Sequence, residues 1–252
     1  MTISVTDIFS IGIGPSSSHT VGPMRAAKAF VESLPATPHR VKAQLRGSLA
    51  ATGRGHASDR AVILGLVGWD PLDVPLDAEP RADQPIPTAG TAQGPDGEIH
   101  YELEFINEPL PQHPNAVVFS AWDNNDECVV DGAEYFSVGG GFILTRKELD
   151  AEVEKDDEVP AGMDGESEVP YPFSSGEELL RMCEESGLEI WQLVEANEKV
   201  LHKSDGGIDF VNEHLFTVWN VMRSCVTEGI AAKGHLPGGL HVPRRANQVY
   251  QQ

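Results

Sequence analysis

Positive charge is scarce in this sequence: 18 Lys and Arg stand against 39 Asp and Glu, a formal net charge of −21 over 252 residues. So acidic a chain repels phosphate backbones and anionic lipid headgroups, which argues against nucleic acid and membrane surfaces as partners. It says little about a small ligand, because a local cationic pocket can sit in an acidic protein. Long apolar runs are also missing. Although 40% of residues are hydrophobic, enough for real cores, no run approaches the ~20 residues of a membrane span. The start, Met1 to Asp7, lacks the basic residues and apolar stretch of a signal peptide, so a cytoplasmic protein is expected. Cysteine is limited to Cys128, Cys183 and Cys225, an odd number without CxxC spacing, which disfavours a disulfide framework. The helical surroundings of Cys183 and Cys225 predict small buried side chains rather than metal ligands. No nucleophile elbow, Walker loop or dinucleotide fingerprint is present, and Gly12-Ile13-Gly14 lacks the remaining spacing of GxGxxG.

What the chain does have is Gly14-Pro15-Ser16-Ser17-Ser18-His19-Thr20-Val21-Gly22-Pro23-Met24. Four hydroxyls and an imidazole fall in five consecutive positions, just before residues with good helix propensity. A helix start offers unpaired N–H groups and a positive dipole end, and hydroxyls add donors that suit a carboxylate or phosphate. The competing reading is an ordinary N-cap, which needs only one of these hydroxyls.

The remaining pattern predicts an α+β N-terminal domain, a sheet covered by helices, over residues 1–145. Residues 3–13 suit a short strand or docking arm. A helix follows the Ser-rich turn to about Leu34, where Pro35 and Pro38 stop it. Val41, Ala43 and Leu45 alternate with polar residues as in a half-exposed strand. Ala61 to Gly68 suits a buried helix capped near Ser58 or Asp59, with a buried strand as the alternative. Residues 70–97 read as loop. Strands are predicted around Tyr101–Phe105, Ala116–Trp122 and Cys128–Val138, the last two as a hairpin, and Gly139-Gly140-Gly141 interrupts before Phe142. Residues 146–170 are an acidic surface linker without the ligand spacing of a calcium loop. From 171 to 252 the pattern becomes helical, with a capping box at Ser174–Glu178, a stop at Gly187, and Val211, Leu215, Val218, Met222 and Val226 at helical spacing. These helices resemble the opening of an incomplete helical domain.

Two further histidines keep unusual company. His56 lies in a polar turn before an apolar helix, and His113 lies in the proline-flanked Pro109-Leu110-Pro111-Gln112-His113-Pro114-Asn115. Imidazole is the commonest proton-transfer group, prolines stiffen its surroundings, and Asn115 could hold polar substrate atoms. Taken singly, each histidine also fits a hydrogen-bonding turn residue. Only convergence in space would favour catalysis. A Ser–His hydrolase built on His19 and a neighbouring serine is the weakest alternative, because sequence neighbours rarely adopt triad geometry.

Several stretches together resemble the iron–sulfur L-serine dehydratases (L-serine ammonia-lyases) of bacteria. They are Ile13 to Met24, Gly53-Arg54-Gly55-His56, His113-Pro114-Asn115, Ser137 to Phe142, Val169 to Phe173 and Pro237 to Arg245. They follow the family's order from end to end. The resemblance implies a lyase converting L-serine to pyruvate and ammonia, with a [4Fe–4S] cluster as Lewis acid. It implies that His56, His113 and Asn115 are catalytic or contact substrate, and that Ser16, Ser17, Ser18, His19 and Thr20 form a substrate-binding element. It further implies that the cluster ligands lie in a helical domain beyond this sequence, so that Cys183 and Cys225 are not ligands. On this reading the chain has no metal site of its own and is truncated. It needs its cluster domain in cis or from a second subunit, and the complete enzyme would be a homodimer. The alternative is a serine-responsive regulatory or dimerisation module without catalysis of its own.

Overall fold

The computed structural model describes residues 4–75, 78–80, 84, 86–157, 169–236 and 242–251, without the side chains of 152–157. In chain order the first elements are α1 (Val5–Ile8), a π-helical turn (Ser17–Val21), α2 (Gly22–Glu32), β1 (Arg40–Gly47), α3 (Ser48–Thr52), a 3-10 turn (Gly53–His56) and α4 (Ser58–Leu66). There follow β2 (Ala89–Gly94), β3 (Gly97–Ile106), β4 (Asn115–Trp122), β5 (Cys128–Gly139), β6 (Phe142–Thr145) and α5 (Arg146–Asp157). The last are α6 (Gly176–Ser186), α7 (Ile190–Leu201), α8 (Ile208–Ala231) and α9 (Ala246–Tyr250). They form two compact units, one of Ile11–Glu158 with Lys233–Arg245, the other of Met1–Ser10, Val159–Ala232 and Ala246–Gln252.

The first unit is the expected α+β layer, with sheet order β2-β3-β1-β4-β5-β6. Strand β1 runs parallel to β3 and antiparallel to β4. A parallel pair requires a crossover, and here the chain passes through α3 and α4 before the β2–β3 hairpin returns it. The alternation in β1 sorts its two faces: Val41, Ala43 and Leu45 are fully buried, while Lys42 and Gln44 reach Glu104 at 2.9 and 2.8 Å. Helices α2 and α4 cover the apolar face with Ala26, Ala27, Phe30 and Val31 and with Val62, Ile63 and Leu66. The Phe30 ring stacks on Phe119 at 4.8 Å.

Three details differ from the sequence pattern. Residues 89–94, expected as loop, pair with β3 as an edge strand; only Ala92 of β2 is buried, so no alternation marks it. The cap of α4 is Ala57, in left-handed conformation at φ 56°, and not Ser58 or Asp59. The Ser58 hydroxyl is committed elsewhere, to the His19 carbonyl. The acidic run opens as helix α5, anchored where Arg146 pairs with Glu134 at 2.7 Å and Asp150 at 2.9 Å. Residues 158–168 of the expected linker, and 237–241 of the tail motif, lie outside the described residues.

In the second unit, the opening segment is helical rather than a strand. Ser4 caps α1 by accepting the Thr6 N–H, and the Ser4 hydroxyl and Val5 N–H donate to the Glu198 carboxylate at 2.7 and 3.0 Å. Ser175 caps α6 by accepting the Glu178 N–H, and Gly187 closes it at φ 70°. The Glu178 carboxylate returns to Ser174, one residue before the position of a regular capping box. Of the α8 stripe, Val211 and Val218 are buried, whereas Leu215, Met222 and Val226 are exposed. An apolar groove of about 930 Å³ runs between Leu180, Ile190, Trp191, Val194, Val211 and Leu215. The expectation of core cysteines fails: Cys183 is half-buried, and Cys128 and Cys225 are exposed, because no described element closes over the faces that carry them. Among the described residues no helix is long and apolar enough to cross a membrane.

Candidate active site

Four segments of the α+β unit converge at the end of β1: the Ser-rich turn, the β1–α3 junction, the 3-10 turn, and the entry to β4. The Ser-rich turn winds as a π-helix, with Val21 N–H donating to the Ser16 carbonyl and Gly22 N–H to that of Ser17. Such wide turns are rare and recur at functional sites. Ser16 is the N-cap and its Oγ accepts the His19 N–H at 3.2 Å. Cap and cluster therefore coexist: one hydroxyl caps and the others are placed elsewhere. Ser18 Oγ meets His19 Nδ1 at 2.9 Å. The buried Thr20 donates to the His56 carbonyl at 2.7 Å. Ser17 is exposed.

The Thr20–His56 and Ser58–His19 bonds cross between two turns and lock them together. The His19 and His56 rings consequently lie 5.0 Å apart, tilted by 43°. On its other side, His19 Nε2 reaches Ser48 Oγ at 2.9 Å. The Ser48 N–H donates to the Pro114 carbonyl at 2.9 Å, and Gly47 pairs with Asn115 in the sheet. This junction demands glycine at 47: its φ is 60°, and a Cβ would fall on the Pro114 carbonyl. His19 and His56 thus meet directly, while His113 and Asn115 join through Ser48 and Pro114. The sequence pattern did not single out Ser48, whose only signal was a hydroxyl in a small polar stretch, and it offered Ser58 only as a helix cap.

Backbone partners fix two of the tautomers. A carbonyl only accepts, so the contact of His56 Nδ1 with the Thr52 carbonyl at 3.0 Å puts a proton on Nδ1, and the neutral ring then carries its lone pair on Nε2. An amide N–H only donates, so the Asn115 N–H on His113 Nδ1 at 3.1 Å makes that nitrogen the acceptor and Nε2 the N–H. In their neutral forms, then, the Nε2 of His56 is an acceptor and that of His113, whose ring lies edge-on to Phe136 at 6.5 Å, is a donor. His19 itself is held below its ordinary pKa of 6.5, first by burial and then by the His56 ring beside it. Near the entry to α4, buried Asp59 is pushed up, chiefly by desolvation, although the Arg60 N–H and the Arg54 charge oppose this.

A depressed histidine pKa has a definite linkage sign. Unfolded His19 takes up its proton first as pH falls, so its contribution is fully present above pH 6.5 and is lost as pH falls through the lower folded value. Urea unfolding at pH 7.5 and at pH 5.5 should show a smaller acid loss of stability in His19→Gln than in the parent chain. An equal loss would remove His19 from the acid response.

Among the described residues no three His, Cys, Asp or Glu side chains assemble into a metal-holding group. The three cysteines lie apart on β5, α6 and α8. An iron–sulfur cluster is held mainly by thiolates, so the residues present do not fit one.

Residues 4–148 match the family model described as serine dehydratase beta chain. The chain is 40% identical over 262 residues to L-serine dehydratase TdcG of Escherichia coli K12, covering 99% of this chain and 54% of the relative. It is 40% identical over 264 residues to an L-serine dehydratase of Streptomyces coelicolor, with 98% and 54% covered, and 36% identical over 258 residues to that of Helicobacter pylori, with 98% and 53% covered. The chain spans about half the length of the curated relatives it matches. By these matches the chain belongs to the serine dehydratase beta-chain family.

Proposed function

We propose that this chain supplies the proton-transfer and substrate-holding part of an L-serine ammonia-lyase that works in the cytoplasm. The observation that carries the reading is the opposed pair of tautomers, His56 with a free Nε2 lone pair and His113 with an Nε2–H. Dehydration of serine needs both roles: a base for the Cα proton and donors for the substrate's oxygens. His56 Nε2 takes the α-proton. His113 Nε2–H and the Asn115 side chain hold substrate oxygen, and Ser17, exposed at the start of the π-turn, faces the carboxylate. Loss of the proton and of the β-hydroxyl as water leaves 2-aminoacrylate, whose imine form adds water and releases ammonia to give pyruvate. The [4Fe–4S] cluster of the complete enzyme belongs to residues outside this chain.

The helical unit fits this division. Trp191, Phe216 and Trp219 are all more than half exposed, large apolar side chains of the kind that mark interaction surfaces when they cluster, and the relatives carry nearly twice the chain length. The remainder of the protein, in cis or as a second subunit, is the proposed cover, and the complete enzyme the proposed homodimer.

The test is a chimaera in which this chain is completed with the remaining residues of the Streptomyces coelicolor relative and reconstituted anaerobically with iron and sulfide. Serine-dependent pyruvate is expected from the chimaera and not from the chain alone. Pyruvate from the chain alone would overturn the partial role. An inactive but folded chimaera, with serine binding to the chain, would favour the regulatory module.

A further inference from the structure

His19 differs from the other two histidines in that both of its ring nitrogens meet side-chain hydroxyls, Ser18 Oγ at Nδ1 and Ser48 Oγ at Nε2, each at 2.9 Å. Hydroxyls donate or accept, so the ring's tautomer is decided by the direction of the whole run. At one end, Ser16 Oγ already accepts the His19 N–H and lies 3.4 Å from Ser18 Oγ. While its oxygen accepts that N–H, Ser16 keeps its O–H to donate to Ser18, which sets one direction for the run. Ser18 then donates to Nδ1, and the ring proton resides on Nε2, pointing at Ser48. At the other end, the backbone of Ser48 is pinned by its N–H bond to Pro114 and by the Gly47–Asn115 pairing. Its hydroxyl oxygen is therefore held where it can accept from the His19 Nε2–H. In that arrangement its own O–H remains available to donate.

We propose that Ser48 is a positioning residue of this site: by accepting from His19 Nε2–H it holds the imidazole in a single neutral tautomer and delivers a hydroxyl donor to the substrate side. His19 then has no free lone pair and is not the base. It transmits orientation between the Ser-rich turn and the β1–β4 edge, leaving proton abstraction to His56. The inference rests on the reading of this turn as part of the active site, but it makes a claim about the resting chain that needs no substrate.

The experiment is long-range ¹H–¹⁵N correlation of the histidine rings in the intact 252-residue chain at neutral pH, with His19→Gln used to assign the His19 signals. The parent chain is expected to show His19 protonated on Nε2 alone. Ser48→Ala should give averaged ring-nitrogen shifts of a tautomer mixture, and Ser48→Thr, which keeps the hydroxyl, should restore the single form. Backbone amide spectra report folding of each variant separately. A single Nδ1–H tautomer in the parent chain, or an unchanged Nε2–H signature in folded Ser48→Ala, would overturn the proposal. Neither result depends on turnover, so failure of the lyase reading would be seen independently, in the chimaera.

Discussion

Replacing His56 with Gln in the completed enzyme is expected to lower kcat about 10²- to 10⁴-fold, the usual contribution of a positioned general base. The choice of Gln matters. The His56 imidazole is held by its Nδ1–H on the Thr52 carbonyl at 3.0 Å, and its own carbonyl accepts from Thr20 at 2.7 Å. A Gln amide can still donate to Thr52, and the backbone bond is untouched, so the turn keeps its shape while the Nε2 lone pair is lost. KM for serine should therefore change little. Transfer of the Cα proton should become more rate-limiting, so the deuterium effect with [2-²H]serine should rise. Near-parental kcat in folded His56→Gln would assign the base elsewhere. His19→Gln makes a useful contrast, because both His19 nitrogens are already engaged. It should disturb orientation, and hence KM and kcat together.

Sequence patterns were informative where a structural cause is local and silent where it is not. β1 and the β4–β5 hairpin were legible because each alternates against one covered face. β2 was not, because its pairing comes from β3 and its own residues carry almost no apolar signal. The histidines could be picked out one by one from their polar, proline-rich surroundings. Their convergence could not, since it depends on long-range bonds from Thr20, Ser48 and Ser58 to partners that no spacing rule connects. The cysteines depart from the sequence expectation for a related reason. Helical context predicts burial only when another element covers that face, and around Cys183 and Cys225 the described cover is partial or absent. The α8 stripe shows the same limit, buried at Val211 and Val218 and open at Leu215, Met222 and Val226.

Gly65→Ala should destabilise the α+β unit by about 3 kcal/mol, the upper part of the range for forcing an extra methyl into a packed interior. Two effects oppose each other at this position. Gly65 lies inside α4, where alanine is favoured over glycine by about 1 kcal/mol on helix propensity alone. Judged only from the chain pattern, the change is stabilising. In the structure, however, α4 and α2 approach so closely that a Cβ at 65 would fall on the Met24 carbonyl oxygen and come within 2.9 Å of the Ala27 Cβ. The first obstacle is backbone, which cannot rotate away as a flexible side chain would, so the two helices have to separate. Packing therefore outweighs propensity, and the sign of the measured change decides between them. Urea unfolding monitored by far-UV circular dichroism should show a lower midpoint with an unchanged slope; a higher midpoint would mean that the helices are not in contact here. The cost extends to the site, because α2 continues directly from the Ser-rich turn and α4 follows the turn that carries His56. Moving the helices apart strains the Thr20–His56 and Ser58–His19 bonds that hold the two imidazoles 5.0 Å apart. Gly65→Ala should therefore also broaden or shift the ring signals of His19 and His56 while leaving those of His39 and His100, paired with each other at the far end of β1 and β3, as they are in the parent chain.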